Sequence, residues 1–479
     1  MSTSRNNFCN IPEVIIAIML PFLENEEMLI IIHILCKIRR ITRLILPSNT
    51  LCYNECKRID LIRANKIIGL QNLKVDAYLP LNIEDSRLLC SLSYLTGLHL
   101  YSIYCITGDI LTCISSLTQL TSLTLHNYIF TSSLMEEEIS KLTRLTHISL
   151  KHAGDSLVLS KPFLPASITT VYLDNFTFKE KVLTGLNNLV SLELPNTISC
   201  YVMNDINLMT ILKTLTLDKK GLMFLDKLPL SISALTISGF TNYHLEDCSR
   251  LTCLTRLDIS HSDAISSRGL SFLAHIPNLN TLVATNSKCI NFTSIMPLVT
   301  SLNISGNNLE DFDSKMFPNL TELNIFKCTR VTTRVFACLS NLVKLDISYI
   351  SVDYRSFKIL YEELATSTKL THLTARGHHF NRVEVYCIAK LNNLRYLDVS
   401  KSTWFYYDKY HNRIYTLLDF IQGLKHLPHL QEINLDYTAD MNRDGLELLL
   451  TLPIKIIHVD NCNLLGEDIV YFNSQYVNR

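Results

Sequence analysis

The chain is poor in glycine, with 13 in 479 residues, and it holds one tryptophan. So few glycines argue against glycine-rich phosphate-binding loops. An excess of either charge is also missing, since 44 basic side chains stand against 44 acidic ones. With zero net charge and no basic stripe, the electrostatic footprint of nucleic-acid binding is absent, and no nucleic acid is expected as a partner. The apolar run "VIIAIMLPFL" at residues 14–23 is too short to span a bilayer, which takes about 20 residues. It is followed by "ENEE" and lacks a small-residue cleavage site. It therefore reads as a short helix of a soluble domain rather than a secretion signal, and no membrane partner is expected. P-loop, GxSxG, HExxH and CxxC patterns are missing as well. The adjacent histidines of "RGHHF" at 376–380 read as an exposed polar loop. With no reacting constellation, the expectation is a protein that is not an enzyme, with no catalytic residues, cofactor or metal. The 15 cysteines, an odd number scattered from Cys9 to Cys462, fit reduced thiols in the cytoplasm, with the nucleus as an option. Cys52/Cys56 and Cys248/Cys253 are lone pairs without a second pair at zinc spacing.

What the chain does have is a repeat. In "LTELNIFKCTRVTTRVFACLSNLVKLDIS", Leu320, Leu323 and Ile325 fall at the spacing LxxLxL, and Leu342, Leu345 and Ile347 fall at it again 22 residues later. The middle apolar residue of each such segment is an anchor. The anchors are Leu73, Leu98, Leu123, Ile148, Val171, Leu192, Leu215, Leu235, Leu257, Leu282, Leu302, Leu323, Leu345, Leu373 and Leu397, then Ile433 and Ile457 after a longer gap. The 13 intervals from Leu98 to Leu397 cover 299 residues and average 23. This period resembles that of leucine-rich repeats. Each LxL is then a short strand with its leucines turned inward, because strand side chains alternate between faces. One unit cannot cover its own apolar face, so neighbours must stack. The expected fold class is α/β: a curved leucine-rich-repeat solenoid over 61–479, about 17 repeats with parallel strands inside and helices or irregular turns outside. Cys328 and Cys462 stand three residues after the last apolar residue of their LxL. The surrounding pattern resembles the cysteine-containing subtype of leucine-rich repeats, although Ser262 and Asn307 stand at that position elsewhere. A generic repeat of mixed length is the alternative.

Residues 1–60 do not fit the repeat. Ile11, Pro12, Met19, Leu20, Phe22 and Leu23, then Leu35, Cys36 and Lys37, resemble the F-box, a short helical module. Val14 stands where that family usually has an acid, and no tryptophan follows Lys37. The resemblance implies binding of a Skp-type adaptor, and through it a cullin, by Ile11, Pro12, Met19, Leu20, Phe22, Leu23, Leu35 and Cys36. The alternative is a plain helical cap over the first repeat, which a solenoid needs in any case.

The residues flanking the last two apolar positions of each repeat are expected to face the hollow. They number ten acids against four bases (Lys151, Arg256, Lys344 and Arg376) from Leu98 onward. This bias suits a basic partner segment. Equally, an Asp after the LxL element often hydrogen-bonds neighbouring turns. Asp258, Glu322, Phe326, Asp346, Arg376, Tyr396 and Asp398 are the candidate ligand-binding residues of that face. Between Leu397 and Ile433 an aromatic-rich insertion at 402–420, "STWFYYDKYHNRIYTLLDF", adds Trp404, Tyr406 and Tyr407 as candidates, because interfaces favour Trp and Tyr. A longer outer helix packing its own aromatics is the alternative. The two resemblances together are those of F-box/leucine-rich-repeat substrate receptors of cullin ubiquitin ligases. The competing reading is a non-enzymatic binding scaffold with no ubiquitin link. An extracellular receptor is disfavoured by the cysteines and the missing signal.

Overall fold

In the computed structural model, each anchor lies on a parallel strand. The structure describes residues 87–477 apart from 88, 107, 180, 197–199, 288–290, 408–412 and 416, and before them 44–45, 50–53, 67–68 and 71–77. The F-box-like candidates at 11–36 lie outside the described residues. The chain forms two compact units, 1–232 and 233–479.

In the second unit ten strands pair in sequence order, from Ala234–Ile237 to Ile456–His458. Their register is uniform: Leu235, Leu257, Leu282, Leu302, Leu323, Leu345, Leu373, Leu397, Ile433 and Ile457 stand side by side across the ladder. In the first unit the strand Thr50–Tyr53 and the seven from Asn72–Ala77 to Thr214–Leu217 do the same. Register is firm because a one-residue slip would turn every leucine out to solvent. The ladder reaches into the stretch expected to be helical, since Leu51 pairs with Leu73. That strand escapes the leucine pattern because Tyr53 holds the register position of Val75 and Leu100 in the next two.

One repeat shows how the sequence makes the fold. Leu320, Leu323 and Ile325 are all buried, and Glu322 and Asn324 point to the opposite, open face. Burying each such leucine contributes roughly 1.5–3 kcal/mol. The threonine two residues before the anchor ties its repeat to the preceding one. Thr321 Oγ1 donates to Thr300 O, Thr121 Oγ1 to Thr96 O, and Thr146 Oγ1 to Thr121 O. The outer element varies from repeat to repeat. The 21 residues from Leu302 to Leu323 hold only a 3-10 turn, Ser314–Met316, whereas the 28 from Leu345 to Leu373 hold the α-helix Tyr354–Leu364. Asp353 caps that helix by accepting from Ser356 N.

Two further columns close every repeat of the second unit. Four residues past the anchor the backbone is left-handed in all ten, at Gly239, His261, Asn286, Gly306, Lys327, Tyr349, Gly377, Lys401, Tyr437 and Asn461. Seven of these ten are not glycine, so the scarce glycine is replaced at a cost of about 1–2 kcal/mol each. At Gly377 glycine has a second use, because a Cβ there would run into the Tyr349 ring. One residue further on, a polar side chain in several repeats turns inward and donates to the preceding repeat. Asn307 Nδ2 donates to Ala284 O (2.7 Å), Cys328 Sγ to Ile304 O (3.1 Å), and Cys462 Sγ to Leu435 O (3.4 Å). Cysteine is thus one of several small donors that satisfy the same buried carbonyl. His378 stands in this column and is buried, which corrects its reading as part of an exposed loop. Its Nε2 reaches Ile347 O (2.8 Å) and its Nδ1 accepts from Tyr361 Oη (2.9 Å).

Candidate protein-binding surfaces

The open face of each ladder is a set of parallel rows, one side chain per repeat at each position. In the second unit the row after the anchor is rich in Asp and Asn for a local reason. The Oδ1 of Asp258, Asn303, Asn324, Asp346, Asp398 and Asn434 accepts from the backbone N–H two residues on, ending the strand in a turn. Charges on this face also pair sideways. Lys344 Nζ lies 2.8 Å from Glu322 Oε1, and Arg376 lies 2.7 Å from Asp398 Oδ2. His458 Nε2 lies 3.3 Å from Glu432 Oε1. The acidic excess expected to attract a basic partner is therefore largely committed to turns and neighbours.

A depression of about 420 Å³ lies on this face over the strands from Arg256 to Tyr396. Glu322, Asp346 and Tyr396 of the expected set line it, together with Arg256, Lys344 and His372, which were outside that set. The Lys344 ammonium holds the Glu322 carboxyl below its ordinary value. Burial, and then the charge of Lys344, push His372 down, so its ring is neutral at pH 7. It stacks on Tyr396 with ring centroids 5.9 Å apart. The depression thus offers polar groups of both signs beside an aromatic wall. Asp258 and Phe326 lie outside it, and Phe326 meets Tyr349 edge to face at 5.8 Å.

Three expectations need correcting. Asp398 is fully buried and accepts from Ser400 N, Arg376 and Tyr396, so it positions those two side chains instead of meeting a ligand. Arg376 spends its charge on that carboxylate. Trp404 is also fully buried, stacked between Phe380 (4.5 Å) and Phe420 (4.3 Å). The insertion forms an antiparallel hairpin, Thr403–Tyr407 with Arg413–Tyr415, joined to His379–Phe380 and followed by the helix Leu417–Gly423. An indole has too much apolar area to leave in water when two phenyl rings can cover it. Tyr406 and Tyr407 lie on the hairpin opposite Ile414 and Arg413.

A family model described as Zer-1-like leucine-rich repeats matches residues 333–443. These are leucine-rich repeats. The matched stretch takes in four anchors of the second unit, Leu345, Leu373, Leu397 and Ile433, together with the insertion. No curated protein matches the chain. Among the described residues no helix is long and apolar enough to cross a membrane.

The first unit has an open face that the candidate set passed over. Tyr101 meets His126 edge to face at 4.8 Å, and His126 lies 6.0 Å from Tyr172. Lys74 Nζ stands 5.2 Å from the Tyr101 ring centre, and Lys151 pairs with Asp174 at 3.0 Å. Burial lowers the pKa of both His99 and His126. The sequence carried the signal: His or Tyr stands at an outward position in three of the four consecutive repeats anchored at Leu98, Leu123, Ile148 and Val171, as His99, Tyr101, His126 and Tyr172.

Proposed function

We propose that this protein is a non-enzymatic recognition protein whose leucine-rich repeats hold a protein ligand on their open faces. The observation that carries this reading is the depression over seven repeats, where Arg256, Glu322, Lys344, His372 and Tyr396 come together from separate strands. Rows of fixed side chains on a rigid sheet suit recognition, because little entropy is lost when a partner docks. By its F-box-like N-terminal residues the protein is a substrate receptor of a cullin–ubiquitin ligase, acting in the cytoplasm or nucleus. The ligand is then the substrate, and Ile11, Pro12, Leu20 and Phe22 meet a Skp-type adaptor.

Two measurements on the full chain test the two halves separately. Proteins captured from lysate by the wild type are compared with those captured by Lys344→Glu/His372→Ala, a pair of substitutions on the open face. Loss of one or more partners supports the open-face reading, and an unchanged set refutes it. Co-purification of adaptor and cullin is scored for wild type and for Pro12→Ala/Leu20→Ala. Absence of both proteins from a folded wild-type sample leaves a scaffold without a ubiquitin link.

A further inference from the structure

A second surface lies on the outer side of the second unit, among the helices that the open face does not use. The helix Arg382–Ile388 and the helix Leu417–Gly423 run beside each other, and small residues set their spacing. A Cβ placed on Gly423 would lie 3.4 Å from Ala389 Cβ, so the two elements touch there with no side chain between them. Next to this contact the helices leave a groove of about 600 Å³. That is within the range of about 300–1,000 Å³ common for ligand sites.

The chemistry of the groove is one-sided. Its floor is apolar, with Val385, Ala389 and Gly423. Tyr386 stands over the floor 63% exposed, a large ring left in water. The rim carries Arg382, Lys390 and Lys425 against one acid, Asp419, which makes a local charge of +2 on a chain whose total is zero. No ion pair among the described residues occupies Lys390 or Lys425. Lys390 Nζ lies 4.1 Å from the Tyr386 ring centre, a contact that steadies the ring. The walls are fixed from below. Asn381 and Glu384 form a capping box at the start of one helix, and Phe420 of the other rests on the buried Trp404. The insertion thus serves this surface indirectly, by seating the helix that forms one wall.

We propose that this groove docks an acidic protein segment carrying one large apolar side chain. The apolar side chain covers Val385 and Tyr386, and the carboxylates meet Lys390 and Lys425. Lys390 and Lys425 beside an apolar floor fit that occupant by charge and by shape. Nucleic acid would need a longer basic track and more than one stacking ring. A flat bilayer would not reach a recessed floor.

Phage-displayed random 12-residue peptides selected on the full chain test this, with counter-selection on a Lys390→Glu/Lys425→Glu chain of unchanged melting temperature. The expected winners are rich in Asp and Glu around one Leu, Phe or Trp. They should bind the charge-reversed chain at least tenfold more weakly, and Tyr386→Ala should weaken them severalfold. Enrichment of neutral or basic peptides, winners that bind both chains equally, or no enrichment at all would overturn the proposal. So would tighter binding of a 12-nucleotide single-stranded RNA than of the best acidic peptide.

Discussion

Lowering the pH from 7 to 5 should loosen the repeat around His378 far more than its neighbours. This imidazole is 4% exposed, and burial pushes it down from 6.5 to about 4. Its Nε2–H donates to Ile347 O and its Nδ1 accepts from Tyr361, so the folded site requires the neutral ring. Between pH 6.5 and pH 4 the unfolded chain holds a proton that the folded chain does not, so stability falls as pH falls through that window. The loss is about 2 kcal/mol by pH 5 and about 3 kcal/mol below pH 4, from 1.36 kcal/mol per pKa unit. His99, His126, His152 and His372 are also held low by burial and act in the same direction, so a variant must isolate His378. Asn suits this purpose because Asn307 already fills the same column with donors to backbone carbonyls. His378→Asn should lower stability at pH 7 by about 1–3 kcal/mol, since Tyr361 Oη loses its acceptor. It should also remove the pH 7 to 5 loss at this repeat. Hydrogen exchange of a peptide covering residues 370–404, corrected for intrinsic rates, reads local opening. Wild type should open roughly 30-fold more at pH 5 than at pH 7, and the variant by much less. Equal responses of the two chains would refute the reasoning.

Leu323→Asp places a charge in the core and should unfold the neighbouring repeats, whereas Asn324→Asp keeps the acceptor for Phe326 N and should be tolerated. Similar thermal melts for the two would show the register to be wrong. At the left-handed corner, Lys327→Gly should stabilise by about 0.5–1 kcal/mol and Lys327→Val should destabilise, as read by urea midpoints. The same sign for both would remove backbone strain as the explanation. Trp404→Ala should cost about 3–5 kcal/mol by emptying the space between Phe380 and Phe420, and a melting temperature unchanged from wild type would contradict its burial.

The repeat was legible in the sequence because its cause is local. A leucine at every third position and then every second is a statement about which side chains point inward, and all seventeen anchors lie in register within their two ladders. The outward rows follow from the same alternation, so Glu322, Asp346 and Tyr396 fall where the pattern puts them. The fate of each outward side chain depends on the next strand, some 20 to 28 residues away in sequence. Asp398 reads as an exposed acid until Arg376 and the Ser400 backbone close over it. Trp404 reads as an interface anchor until Phe380 and Phe420 arrive from the strand paired beside the hairpin and from the following helix. Composition and period determined an α/β stack of leucine-rich repeats with no net charge. The stacking of one repeat on the next decided which of its polar and aromatic groups remain free to meet a partner, because hydrogen bonds and burial between neighbours consume the rest.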